Sequence, residues 1–229
     1  MSRYNPNKPS FISQDDNLFL EYYLHNPVIL WRQGILLVKD SSHRFIASNN
    51  NFKLFSGFSA KALIGLSDSD MPWGDSQDLY INHEKDVLSG NVYSVIEPLN
   101  GLSKVNLFTQ KDIIYHQNGS PGGTMATAAI FNHHLEYGNL EGTSRSLKVS
   151  NFSEYNLTAT ESKVLYFILK GFKRARVAEL AEISTSSFDF HIKNIKVKFS
   201  VDTFEALIDV CYQNRIHDLF PVHIISPHL

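Results

Sequence analysis

Ser186, Ser187, Asp189, Phe190, Lys193 and Lys196, with Lys173 and Arg174 a little before them, are the residues whose types and spacing could do chemistry. Serine hydroxyls donate and accept hydrogen bonds, Asp189 accepts them, the lysines and arginine pair with anions such as phosphate, and Phe190 adds an apolar surface. That is the chemistry of recognition. The parts of bond-making chemistry are missing from the sequence. It has no Gly-x-Ser-x-Gly elbow, no glycine loop built to cradle phosphate and no His-Glu-x-x-His, so an enzyme is not expected. His133-His134 has no companions at metal-ligand spacing. Cys211 is the single cysteine, which excludes an internal disulfide and a multi-cysteine metal site and suits a buried spacer.

The polar residues need helices to hold them, and the sequence predicts those helices. Thr158 and Glu161 have the spacing of a capping box. Val164, Leu165, Ile168 and Leu169 then follow one helical face until Gly171 supplies a left-handed stop. A short second helix is expected from about Arg174 to Ala181, and Ser184 can cap a third with the core stripe Phe188, Ile192, Ile195 and Phe199. Turning that stripe inward leaves Ser186, Asp189, Phe190, Lys193 and Lys196 outward. Asp202 and Glu205 have capping-box spacing for a fourth helix. The whole reads as a helix-turn-helix.

The order Leu157-Thr158, Glu161, Val164-Leu165, Gly171, Val177-Ala178, Ile183-Ser184, His191, Asn194-Ile195 and Lys198-Phe199 resembles the DNA-binding domain of LuxR-type transcription regulators. The resemblance implies that the third helix enters the major groove of double-stranded DNA, with a homodimer spanning two half-sites. The chain departs from the family twice. Ser187, Phe188 and Asp189 stand where Thr-Val-Lys is usual, so an anion replaces a cation. Asp189 could accept from a cytosine amino group or pair with Lys193 one turn later. Ala181 replaces a leucine, implying looser helix packing. From Asn151 onward nine cations cancel nine anions, yet between Lys163 and Lys198 eight cations face three anions. That local excess belongs to the helices expected nearest DNA.

The front half has a different period. Ile35 to Val38 and Arg44 to Ser48 predict two strands around a polar turn at Lys39 to His43. Short helical patches follow near Phe52, from Ala60 to Ile64 and from Ser76 to Leu88. Tyr93 to Leu99, Val105 to His116 and Thr124 to Phe131 predict three more strands. The expected fold class is α+β: an antiparallel sheet with helices, followed by an all-α four-helix domain. The front half resembles a PAS domain through Lys39-Asp40, Arg44-Phe45, Asn49, Phe52, Gly57-Phe58, Leu63-Ile64-Gly65, Asp70-Met71-Pro72-Trp73, Asp86-Val87-Leu88, Gly90 and Asn118-Gly119. It implies a sensor or dimerisation module that can take a small-molecule ligand. No cofactor is required by the sequence. His83 lies where some PAS proteins hold haem iron, although its polar Asn82 and Glu84 neighbours suit a solvated residue. A flavin adduct is closed off, because Cys211 lies outside this half. Trp31 and Trp73 read as core residues.

The expected divisions are a lead-in with a short amphipathic helix (1–27), the PAS-like sensor (28–131), a linker (132–155), the helix-turn-helix domain (156–211) and an apolar extension (212–229). The extension should pack on its own chain or on a partner. A formal charge of -2 says nothing about partners. No apolar run is long enough for a membrane span, and Met1 to Gln14 lacks the signal-peptide pattern, so no membrane partner and a cytoplasmic location are expected. The expectation for function is a one-component transcription regulator. The alternatives are a protein-interaction regulator whose helix-turn-helix has lost DNA affinity, and a haem-based PAS sensor.

Overall fold

The computed structural model describes residues 19–131 and 145–225. The lead-in before residue 19, His133-His134 and the first part of the expected linker lie outside the described residues. The chain forms two compact units, of which the first comprises residues 1–92, 101–103 and 111–128 and the second 93–100, 104–110 and 129–229.

In the first unit, helix α1 (Leu20–His25) is followed by strands β1 (Val28–Ile29), β2 (Ile35–Asp40) and β3 (Phe45–Asn49), then by helices α2 (Lys53–Ser56) and α3 (Gln77–Leu88). The hairpin of β2 and β3 is antiparallel; β1 joins β3 in parallel, and β2 pairs antiparallel with the later strand Pro121–Ile130. Leu20 and Tyr23 of α1 pack on Leu36, Val38, Ile46, Ala47 and Ile114. On the helical side Phe45, Phe52, Trp73 and Tyr80 make a chain of ring contacts. Asn49 is fully buried because its side chain serves the backbone: it accepts from the Leu36 amide at 3.1 Å and donates to the Trp31 and Gly34 carbonyls.

Three local expectations change here. Lys39, expected in the turn, belongs to β2 and is 4% exposed. The turn begins at Asp40, whose Oδ1 accepts from the Ser42 and Arg44 amides. Trp31, expected in the core, is 50% exposed. The stretch from Ala60 to Ile64 makes turns rather than a helix.

The second unit holds β4 (Ser94–Asn100), the first part of β5 (Lys104–Tyr115) and the end of β6 (Pro121–Ile130). After them come β7 (Leu147–Ser150), the helices α4 (Ala159–Leu169), α5 (Arg174–Leu180), α6 (Thr185–Lys198) and α7 (Phe204–Gln213), and a last strand and helix, β8 (Leu219–Pro221) and α8 (Val222–Ile225). Its ladder runs β5-β4-β7-β8, antiparallel except for the parallel β7–β8 pair. Part of the stretch expected as linker is therefore a strand. The apolar extension packs on its own chain: Phe220 is fully buried, with its ring 5.1 Å from Tyr166 of α4 and 5.5 Å from Phe131. Ile96, Phe131, Leu147, Tyr166, Ile195, Leu207 and Phe220 belong to one continuous core. None of the helices among the described residues is long and apolar enough to cross a membrane.

Candidate nucleic-acid interface

Local chemistry sets the helices that carry the site. The Thr158 amide donates to Glu161 Oε2 at 2.8 Å, and the Glu161 amide to Thr158 Oγ1 at 3.2 Å, the capping box expected for α4. Gly171, at φ +83°, ends that helix. Ser184 caps α6 by accepting from the Ser187 amide at 3.0 Å. The cap of α7 is Thr203 rather than Asp202, because its hydroxyl accepts from the Ala206 amide at 3.1 Å. Between α5 and α6 the chain turns through Glu182, a non-glycine residue at φ +58°.

Core contacts fix the roll of α6. Phe188 and Ile195 are buried, with Ile192 and Phe199 partly so. Lys198 ties the end of α6 to the start of α4, donating to Glu161 Oε2 at 2.6 Å and to the Asn156 carbonyl at 2.7 Å. Burial opposes the charge on Glu161, but the Lys198 ammonium and the Thr158 groups outweigh it and hold the carboxyl below its ordinary range.

The eight candidate residues then divide by what they touch. Lys173, Ser186, Phe190 and Lys193 are exposed, Phe190 to 61%. Ser187 is half-buried, and its hydroxyl lies 2.8 Å from Ser184 Oγ. Lys196 donates to the Asp202 carbonyl at 2.8 Å. Asp189 is exposed, and its ion pair is not with a later lysine. Arg174 grips it from the start of α5, Nε donating to Oδ1 at 2.9 Å and Nη2 to Oδ2, while Nη2 also reaches the Thr185 carbonyl at 3.0 Å. This bidentate fork holds the Asp189 carboxyl below its usual range and raises Arg174. The anion that replaces a cation on this helix is thus matched by a cation from its neighbour.

The first unit holds a buried ionic cluster that no local sequence pattern marks. Lys39 Nζ donates to Asp68 and, at 2.7 Å, to Glu84 Oε1; His43 Nδ1 lies 2.7 Å from Glu84 Oε2, and Lys111 Nζ lies 3.5 Å from Oε1. Trp73 Nε1 donates to Asp68 at 3.0 Å and Lys111 to the Tyr80 carbonyl at 3.1 Å. Burial works against the Glu84 charge, but the two lysines and His43 hold its carboxyl far below the ordinary range. Lys39 is likewise held above its ordinary value by Glu84 and Asp68, against its own burial. His83, expected in solvent, is buried in α3. Among the described residues no group of three or more His, Cys, Asp or Glu could hold a metal ion.

Helices α5 and α6 with the turn between them, packed on α4 and sharing a core with Leu207 and Cys211 of α7, are a helix-turn-helix, the class of fold that presents its second helix to duplex DNA. Residues 155–211 match the family of bacterial regulatory proteins of the luxR type, so this segment is a LuxR-type helix-turn-helix domain. That family consists of regulators. Among solved structures, the chain is similar to VqmA bound to DPO, at 19% identity over 86% of this chain and 89% of that one, with a TM-score of 0.44. It is also similar to a Vibrio cholerae VqmA dimer without target DNA, at 20% identity over 90% and 93% of the two chains, with a TM-score of 0.47. A PAS domain from Colwellia psychrerythraea is similar at 13% identity over 42% of this chain and 85% of its own, with a TM-score of 0.37. No curated protein matches. The front half has the PAS-like order of strands, short helices and strands.

Proposed function

We propose that the chain is a one-component transcription regulator that binds double-stranded DNA as a homodimer and whose PAS-like half senses a small molecule or a partner. The observation that carries this reading is the LuxR-type segment at 155–211, whose α6 leaves Ser186, Phe190 and Lys193 exposed on one side. DNA-binding roles for Lys173, Arg174, Ser186, Ser187, Asp189, Phe190, Lys193 and Lys196 are part of the proposal. They divide into outward contacts at Lys173, Ser186, Phe190 and Lys193, and supporting roles for the others. The solved VqmA structures, described as complexes with DPO and with DNA, fit a sensor of a small molecule. The mechanism is a population shift in which ligand favours the arrangement that presents two α6 helices to half-sites about one duplex turn apart.

The second reading is a protein-interaction regulator without DNA affinity, motivated by Asp189 and by the zero net charge from Asn151 onward. Its force falls because Arg174 neutralises that carboxylate. A mobility-shift titration at low salt tests the choice. Retardation of duplex by the full chain is expected; none at any concentration would favour the second reading. A haem at His83, the remaining alternative, requires a strong Soret absorption in the protein as purified, and its absence removes that alternative.

A further inference from the structure

Outward on α6, Ser186, Phe190, Lys193 and Val197 follow one another at intervals of four, three and four residues, one continuous stripe along the helix. Phe190 is 61% and Val197 71% exposed, so a helix face that also carries a free-standing lysine leaves much apolar surface in water. The ring contact recorded for Phe190 is with its neighbour His191, edge-on at 5.7 Å. Beside it, both Asp189 oxygens accept from Arg174, which offsets the carboxylate's charge and fixes its orientation. The large exposed side chain at this level of the helix, Phe190, is apolar. In the major groove only thymine presents a methyl group, and an aromatic or aliphatic side chain recognises it by contact.

We propose that Phe190 is the specificity-determining residue of α6 and reads the 5-methyl group of a thymine, while the Arg174–Asp189 fork is a positioning pair that fixes α5 against α6. The inference rests on the DNA-binding reading of the domain. The charge around Phe190 favours a duplex as occupant of the stripe: Lys193 follows it by one turn, and cations outnumber anions between Lys163 and Lys198.

The test uses the full-length chain and a duplex selected from a random pool at low salt. Each thymine of that duplex is replaced singly by deoxyuridine, which removes the methyl group and nothing else. The wild type loses about fourfold in affinity at one or more positions, the value of one buried methyl. Phe190→Ala binds the thymine and uracil duplexes equally, and Phe190→Leu restores part of the difference. Two results would overturn the inference while leaving DNA binding intact: a wild type that retards the duplex but ignores every replacement, or a Phe190→Ala variant that discriminates as well as the wild type. A Phe190→Ala variant that changes oligomeric state in sedimentation and keeps the wild-type discrimination would also overturn it, assigning the stripe to a second copy. Failure of the wild type to retard any duplex removes the DNA-binding reading itself.

Discussion

Glu84 shows how much depends on single residues in the PAS-like half. Its carboxylate is 2% exposed and meets Lys39, Lys111 and His43. A buried charge that loses its partner cannot be rehydrated, so Glu84→Gln is expected to destabilise the fold by about 3–5 kcal/mol in a urea titration. The pH dependence has a definite sign. The folded pKa of Glu84 lies below its unfolded value of about 4.3, so its contribution is complete above that pH and drains away as acid approaches the folded value. Melting temperatures of the wild type should fall on acidification, and those of Glu84→Gln should fall less steeply. Parallel curves would show that Glu84 is not the group responsible. No local pattern announced this cluster, because Lys39 finds its partners 29 and 45 residues away. From sequence, a lysine after four apolar residues looks like the start of a turn. The same distance hid the Arg174–Asp189 fork, whose ends are 15 residues apart.

Elements governed by near neighbours were legible. The capping box of α4, the serine cap of α6, the Gly171 stop and the inward stripe of α6 all depend on residues within a turn or two, and each formed where the spacing predicted. The strands of the front half also fell close to their expected bounds. The one-residue slip at α7 arose because Asp202 and Thr203 are both competent caps, and only the hydroxyl's reach to the Ala206 amide decides between them. The strand at Leu147–Ser150 was not legible, since four residues give no usable alternation until a partner strand is present. Its partners are β4 and β8. The extension makes a prediction at this scale. Phe220 is fully buried against Tyr166 and Phe131, so Phe220→Ala should cost about 3–5 kcal/mol in unfolding free energy measured by circular dichroism in urea. A cost near zero would mean that β8 does not hold the helices.

At the scale of the whole chain, compactness and proposed function do not divide it at the same place. Strand β4 and much of β5, predicted from sequence as sensor strands, share a compact unit with the LuxR-type helices. Ile96 of β4 and Phe108 of β5 join the core that includes Val164, Ile195 and Leu207. A ligand that shifts those strands would therefore act on packing shared with the helix-turn-helix, a physical route for the proposed population shift. Composition alone could not reveal this, because each strand carries the same alternation whichever core it joins. The proposed regulator depends most on the exposed side of α6 meeting duplex DNA through Lys193. The direct measurement is the salt dependence of affinity, by fluorescence anisotropy with one labelled duplex, for the wild type and Lys193→Ala. The variant is expected to bind any sequence more weakly, with a log–log slope shallower by about one unit, the signature of one lost phosphate contact. Equal slopes and equal affinities would contradict that role of Lys193.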